Sequence, residues 1–174
     1  GFDRTVYKSF SAQEHAWHET PVCASRTLAQ LDKVCYAPVI FQERIPAQTD
    51  LRIVVVGKTL FTVAVQPHAA SHTIDHPVGH RLAVGRMHGE AFELPAEIAT
   101  GVQTLMQRLE LIYGVVDMRL TPDGEYIFRE VDPSGAWLWL EECSGLPITQ
   151  TFAHYLAGCA TGRRENELHS TFSA

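Results

Sequence analysis

Two stretches of the chain run apolar in the manner of paired β-strands. Residues 51–56 (LRIVVV) and 59–65 (TLFTVAV) flank Gly57-Lys58, and together they predict a β-hairpin with a tight turn. Because apolar residues occupy nearly every position, we expect both faces of these strands to be buried. The hairpin is therefore expected in the interior of the protein.

Weaker patterns predict the other elements. Short strands are expected at 5–10 and at 39–42, the second of them buried, and another hairpin is expected at 113–121 and 125–132. Helices are expected at about 24–34, 95–112 and 147–158. Residues 66–90 show little periodicity and predict a long loop.

Composition narrows the class of protein. A formal net charge of −6 argues against a nucleic-acid partner. The four cysteines have no CxxC spacing, which favours free thiols: Cys23, Cys35, Cys143 and Cys159. No apolar run or signal peptide points to a membrane, so a cytoplasmic protein is expected. The chain enters a strand pattern at once without an initiator Met, and we expect that a preceding segment is missing.

Three acidic residues are expected to converge on the second hairpin. If Asp123-Gly124 forms a two-residue loop, Asp117 lies opposite Glu130, with Cβ atoms about 4.5–5.5 Å apart. Asp132 follows Glu130 by two positions and so points to the same face. Such a patch of like charge is destabilising unless a positive charge compensates it.

Two explanations of this patch remain open on spacing alone. An all-oxygen ligand set favours a hard cation, Mg2+ or alternatively Mn2+, whose remaining positions would take water and phosphate oxygens. The other explanation is a solvated or arginine-paired acidic patch, and hairpin parity places Arg119 on the acidic face.

The sequence contains neither a P-loop nor a GxGxxG fingerprint, so a nucleotide would have to be held by side chains and by a hinge. Lys8 and Arg52 are the candidate cations for its phosphates. A single lysine in a strand is also typical of a sheet edge, and that alternative stays open for Lys8.

Four segments resemble the ATP-grasp superfamily of carboxylate–amine ligases. They are IFQERIP (40–46), DLRIVVVG (50–57), YGVVDMRLTPDG (113–124) and FREVDPSGAWLWLEECSGLPIT (128–149). Within the superfamily, the last segment is similar to the end motif of the peptide maturases of the microviridin (graspetide) type. The resemblance implies an α+β fold in which two small lobes with antiparallel sheets clasp a nucleotide.

The resemblance also implies domain bounds. Residues 1–42 would form part of the smaller lobe, 43–162 the larger lobe with the metal hairpin, and 163–174 a flexible tail. The domain that precedes these lobes in the family would be missing.

The same resemblance implies which residues would contact the nucleotide and the metal. Lys8 would contact ATP phosphates, Asp50 the ribose, and Arg52 a phosphate or the acyl intermediate. The hinge beside adenine would comprise Gln42, Glu43 and Ile45. The metal triad on the β- and γ-phosphates would comprise Asp117, Glu130 and Asp132.

Two departures from the family pattern concern the nucleotide. The third metal position is often Asn in the family, and here it is Asp132, which adds negative charge. The glycine-rich phosphate loop is absent, and SAQEHAWHET stands in its place.

The spaced histidines and the two tryptophans after the second hairpin each have two interpretations. The histidines at 68, 72, 76 and 80 are spaced like a helical metal stripe, but Pro77 and Gly79 favour a mobile cover over the nucleotide instead. Trp137 and Trp139 suggest either a peptide-binding surface or packing behind the metal strand, and packing is expected.

The leading hypothesis is an ATP- and Mg2+-dependent ligase that activates a carboxylate as an acylphosphate. It would then join the acyl group to a hydroxyl or amine, on a ribosomal precursor peptide. Three alternatives remain: a small-molecule ligase of the glutathione-synthetase type, a nucleotide-binding fragment without independent catalysis, and a two-metal phosphoesterase. The expected partner is a precursor peptide or a small carboxylate, with a homodimer left open.

Overall fold

The computed structural model of the chain describes residues 5–9, 31–36, 38–65 and 88–160. The described residues divide into two compact units between Ala47 and Gln48. This division lies a few residues after the lobe boundary expected at 42/43, and the lobe bounds stay predictions. The expected tail, 163–174, lies outside the described residues.

The first unit contains a two-stranded antiparallel sheet. β1 (Thr5–Ser9) pairs with β2 (Val39–Glu43), and a short 3-10 helix (Leu31–Cys35) precedes β2. The expected burial of the second strand is wrong, because Ile40 and Phe41 are both more than two-fifths exposed. Among the described residues, β2 pairs with β1 and with no other strand of this sheet. Of the helix expected at 24–34, only its end is described.

The second unit is built on a five-stranded antiparallel sheet in the order β5-β4-β3-β6-β7. Its strands are β3 (Thr49–Val56), β4 (Thr59–Val65), β5 (Gly89–Ala91), β6 (Tyr113–Leu120) and β7 (Tyr126–Asp132). Both expected hairpins are confirmed. The loop expected at 66–90 is wrong at its end, because residues from Gly89 onward pair with β4 as a third strand. The four spaced histidines lie outside the described residues.

Three helices accompany this sheet: α1 (Ala96–Arg108), α2 (Leu138–Ser144) and α3 (Ile148–Ala160). α1 begins after Pro95, as expected, but ends earlier than residue 112. It ends there because Glu110 adopts a φ of 55°, and the Leu111 amide turns back to the Met106 carbonyl. α2 was not expected; its signal was Gly145, which ends the helix with a φ of 71° and is followed closely by Pro147. No helix in the described part of the chain is long and apolar enough to span a membrane.

One face of the sheet packs against α1 in a hydrophobic core. Leu51, Ile53 and Val55 of β3 point to this face, as do Val116 and Met118 of β6. They pack with buried residues of α1, Val102 and Met106. The period of two along each strand sends the intervening residues to the opposite face, which carries buried valines, among them Val54, Val63 and Val115, as well as charged groups.

The opposite face carries two cross-strand ion pairs between β3 and β6. Asp50 lies opposite Arg119, and Arg52 lies opposite Asp117. Arg119 donates from Nε to one Asp50 oxygen at 2.7 Å and from an Nη atom to the other at 2.9 Å. Both side chains are less than one-tenth exposed, so this bidentate pair joins the two central strands inside the protein.

Removing one partner of this buried pair should destabilise the fold. Arg119→Met leaves the Asp50 carboxylate buried without its cation, and we expect the free energy of unfolding to fall by about 3–5 kcal/mol. The double variant Asp50→Leu/Arg119→Met removes both charges and should recover most of that loss. Urea denaturation of the full chain measures both values. A double variant no more stable than the single one would contradict this account of the pair.

Two glycines provide a matched test of packing. An alanine Cβ at Gly135 would lie 2.6 Å from Val115 Cβ, whereas at Gly101, in α1, nothing lies within 4 Å. Gly135→Ala should therefore lower the free energy of unfolding by about 1–3 kcal/mol. Gly101→Ala should raise it by about 0.5–1 kcal/mol, because alanine favours the helix. Thermal or urea unfolding measures the stability of both variants. Equal changes in the free energy of unfolding would contradict the close approach of Gly135 to Val115 in β6.

Candidate active site

The β6–β7 hairpin brings Asp117 opposite Glu130, as the sequence predicts. The turn that closes it is different. The Thr121 amide donates to the Glu125 carbonyl, so the loop contains three residues, 122–124, with Gly124 at a φ of 85°. This is the longer class of hairpin loop that places glycine in the left-handed region.

A β-bulge restores the predicted pairing. Met118 lies opposite Phe128, whereas Asp117 lies opposite Glu130, so Arg129 is the extra residue on β7. The two-residue turn used in the prediction is therefore wrong by one residue, and the bulge compensates for that error. Beyond the bulge, Asp132 shares a face with Glu130 and lies opposite Val115.

Asp117 is held beside Arg52 in a largely buried position. Arg52 Nε lies 3.0 Å from Asp117 Oδ1, and the two side chains are 9% and 13% exposed. The N–H is not directed at the oxygen, so within the described residues neither of these two atoms makes a hydrogen bond. The pair is thus an electrostatic contact in which Asp117 Oδ1 retains its capacity to accept.

Burial raises the pKa of Asp117 to about 6. The positive charge of Arg52 opposes this shift, and the neighbouring carboxylate of Glu130 adds to it. Desolvation outweighs the attraction of Arg52 because the carboxylate lies mostly out of water. A second positive charge at this oxygen would favour the ionised form.

Asp132 is oriented by the turn that follows it. Its Oδ1 accepts from the Ser134 amide at 2.8 Å and from the Ser134 hydroxyl at 3.0 Å. The Tyr113 hydroxyl donates to the Gly135 carbonyl and ties the same turn to β6. Burial, and next the charge of Asp132, raise the pKa of Tyr113 above its ordinary value. One carboxylate oxygen of Asp132 is thereby oriented within the turn.

The three acidic residues offer the oxygen ligands that a hard cation prefers, but their side chains do not converge on a common position. Among the described residues, no three His, Cys, Asp or Glu side chains are close enough to enclose a metal ion. The donor set is all oxygen, and it includes the buried Asp117 Oδ1 without a hydrogen bond, so these residues suit Mg2+ better than Zn2+. The metal triad stays a prediction.

The other expected nucleotide ligands lie on separate elements. Gln42 and Glu43 end β2 and are exposed, and Ile45, just beyond, is half-buried. Lys8 lies on β1 opposite Ile40, and its side chain lies outside what the structure describes. Asp50 accepts a hydrogen bond from Arg119 at each carboxylate oxygen and is only 3% exposed, so a ribose hydroxyl could reach it only if the surrounding residues moved. These roles stay predictions.

The tryptophans of the α2 region pack as expected. Trp137 lies 5.9 Å from Phe152 between ring centroids, and Phe152 meets Tyr113 edge-on at 5.2 Å. Trp139 lies beneath the Arg52 guanidinium, 5.8 Å from its ring centroid. No pattern in the sequence predicts this last contact, because the two residues are far apart in the chain. Within the described residues, Cys35, Cys143 and Cys159 are free thiols, as expected.

Solved structures of similar fold were found. The crystal structure of macrocyclase MdnC bound with precursor peptide MdnA from Microcystis aeruginosa MRC is 31% identical, with a TM-score of 0.75, over 90% of this chain and 48% of that one. A Chryseobacterium gregarium RiPP-associated ATP-grasp ligase, in complex with ADP and a leader and core peptide, is 25% identical, with a TM-score of 0.72, over 88% and 48%. ATP-grasp ligase PsnB, at 18% identity and a TM-score of 0.68, shares the fold.

The chain spans about half the length of these structures. No family model matches it, and no curated protein matches it by sequence. The resemblance inferred from its motifs is confirmed by the structural comparison: the chain has the α+β ATP-grasp fold, and its structural neighbours are ATP-grasp ligases and macrocyclases of ribosomal peptides.

Proposed function

We propose that this chain is part of an ATP- and Mg2+-dependent ligase that forms an ester or amide bond within a ribosomal precursor peptide. The observation that carries the proposal is the pairing of Asp117 opposite Glu130, with Asp132 on the same face and Arg52 beside Asp117. The fold supports it, because a similar structure is described with ADP and with a leader and core peptide, and another with a precursor peptide.

The chemistry would proceed in two steps. A carboxylate oxygen of the peptide attacks the γ-phosphorus of ATP, ADP leaves, and an acylphosphate results. A hydroxyl or amine of the peptide then attacks the acyl carbon, and the bond from this carbon to the bridging oxygen breaks. Inorganic phosphate leaves with that oxygen and takes up the proton that the nucleophile loses. This reaction needs positioning and charge neutralisation and no covalent enzyme intermediate.

The chain's own residues would serve this chemistry by charge. Asp117, Glu130 and Asp132 would hold Mg2+, which supplies charge neutralisation at the ATP phosphates. Arg52 would contribute a positive charge beside them, where burial strengthens its field. Lys8 would contact phosphates, and Gln42, Glu43 and Ile45 would border the adenine. The homodimer stays a prediction.

Glu130→Gln tests the role of the carboxylate opposite Asp117. The substitution keeps the shape and removes the charge, so we expect ATP-dependent phosphate release by the full-length protein to fall by about 100-fold or more. Phosphate release is measured with ATP, Mg2+ and a peptide that carries acidic and hydroxyl side chains. The matched control is Glu125→Gln, an exposed position in the same hairpin, which should retain wild-type turnover.

Three outcomes are informative. Wild-type turnover in Glu130→Gln would refute the metal assignment. ATP binding in calorimetry without any turnover by the full-length protein would favour a nucleotide-binding module. Release of phosphate from simple esters without ATP would favour a phosphoesterase.

Metal binding should depend on pH through Asp117. A divalent cation competes with the proton on this carboxyl, whose pKa is about 6. Affinity for Mn2+, used as a probe, should therefore be nearly constant well above pH 6 and fall by about 10-fold per pH unit well below it. Titration of the full-length protein between pH 5 and pH 8, followed by the paramagnetism of free Mn2+, measures this. Asp117→Asn should bind weakly with a flatter profile, and an equally steep fall in that variant would contradict the assignment.

A further inference from the structure

Trp139 makes a contact that the proposed function does not use. Its indole ring lies beneath the guanidinium of Arg52, with 5.8 Å between the guanidinium carbon and the ring centroid. Arg52 comes from β3 and Trp139 from α2, so the contact joins the charged face of the sheet to the helix that follows β7. Arginine stacks on aromatic faces, and the attraction is strongest where water is excluded.

Arg52 is a buried cation whose position Asp117 does not fully determine. The whole residue is 7% exposed. Its Nε approaches Asp117 at 3.0 Å without a directed hydrogen bond, so this contact fixes distance more than orientation. The face of the Trp139 ring lies within the range of a cation–π contact and so adds a second attraction on the guanidinium, from a different direction than Asp117.

The helix that carries Trp139 is itself well anchored. Leu140, the next residue, is fully buried. Glu141 accepts a hydrogen bond from the Thr149 amide at 2.8 Å, at the start of α3, and Trp137 packs on Phe152. The indole therefore extends from a well-packed helix, which limits its movement relative to Arg52. A charged group is held in one position only if its neighbours are themselves fixed.

We propose that Trp139 is a positioning residue for Arg52: its ring holds the guanidinium in place beside Asp117. This inference rests on the proposed function, in which Arg52 faces a phosphate or the acyl intermediate. A divalent cation on Asp117 would compete with Arg52 for the same carboxylate. The contact with Trp139 does not depend on that carboxylate, so Arg52 would remain beside the reacting phosphates when the metal arrives.

The decisive experiment compares Trp139→Leu with the conservative Trp139→Phe in the full-length protein, each alone and combined with Arg52→Gln. Trp139→Leu should lower kcat for ATP-dependent phosphate release by about 10-fold to 100-fold, with little change in KM for ATP. Trp139→Phe keeps an aromatic face and should recover most of that loss. In the Arg52→Gln background, Trp139→Leu should cause no further loss, since there is no guanidinium left to position.

A spectroscopic readout tests the contact independently of activity. Arg52→Gln should change the tryptophan fluorescence of the protein, and the change should disappear when Trp139 is phenylalanine. Because this measurement uses Trp139→Phe, it still tests the contact if Trp139→Leu fails to fold.

The possible failures are distinct. Absence of ATP-dependent turnover in the wild type would refute the proposed function. With an active wild type that Arg52→Gln impairs, equal and additive losses from Trp139→Leu in both backgrounds would refute the positioning role. So would fluorescence that is insensitive to Arg52→Gln.

Discussion

The structure of the candidate site depends on charge pairing between two neighbouring strands of the sheet, β3 and β6. Asp50 with Arg119 and Arg52 with Asp117 form adjacent cross-strand pairs of reversed polarity. Four charges so near the interior are tolerable only because each acid meets a base. The two pairs differ in kind: one is bidentate and fully bonded, whereas the other lacks a directed hydrogen bond. The first pair is suited to stabilising the fold. In the second pair, Asp117 Oδ1 can still accept a hydrogen bond or bind a cation.

Period and composition were sufficient to predict both hairpins and the side on which the acidic residues lie, but not β5. Residues 51–65 are mostly apolar, which favours a hairpin in the protein interior. Alternation along β7 places Glu130 and Asp132 on one face. The family resemblance, based on four segments of the sequence, was confirmed by the structural comparison. Local rules succeeded where one interaction, burial or pairing, dominates the choice of conformation.

The remaining features depend on contacts that are distant in sequence. The bulge at Arg129 cannot be read from the residues of β7, and α2 has only a C-terminal signal. Asp50 was assigned to a ribose from resemblance, yet its oxygens bond to Arg119, a partner that only the register of β3 with β6 brings near. The same register and the position of α2 together place the guanidinium of Arg52 over the ring of Trp139.

The bulge in β7 also bears on how this domain avoids unwanted association. In the sheet as described, β7 is an outer strand, and the outer strand of an open sheet offers unpaired backbone groups to any extended segment nearby. An extra residue at Arg129 breaks the regular spacing of those groups and increases the local twist. A foreign strand could match the edge on one side of the bulge but not across it. The irregularity that aligns Asp117 with Glu130 thus also makes this edge a poorer template for a long added strand.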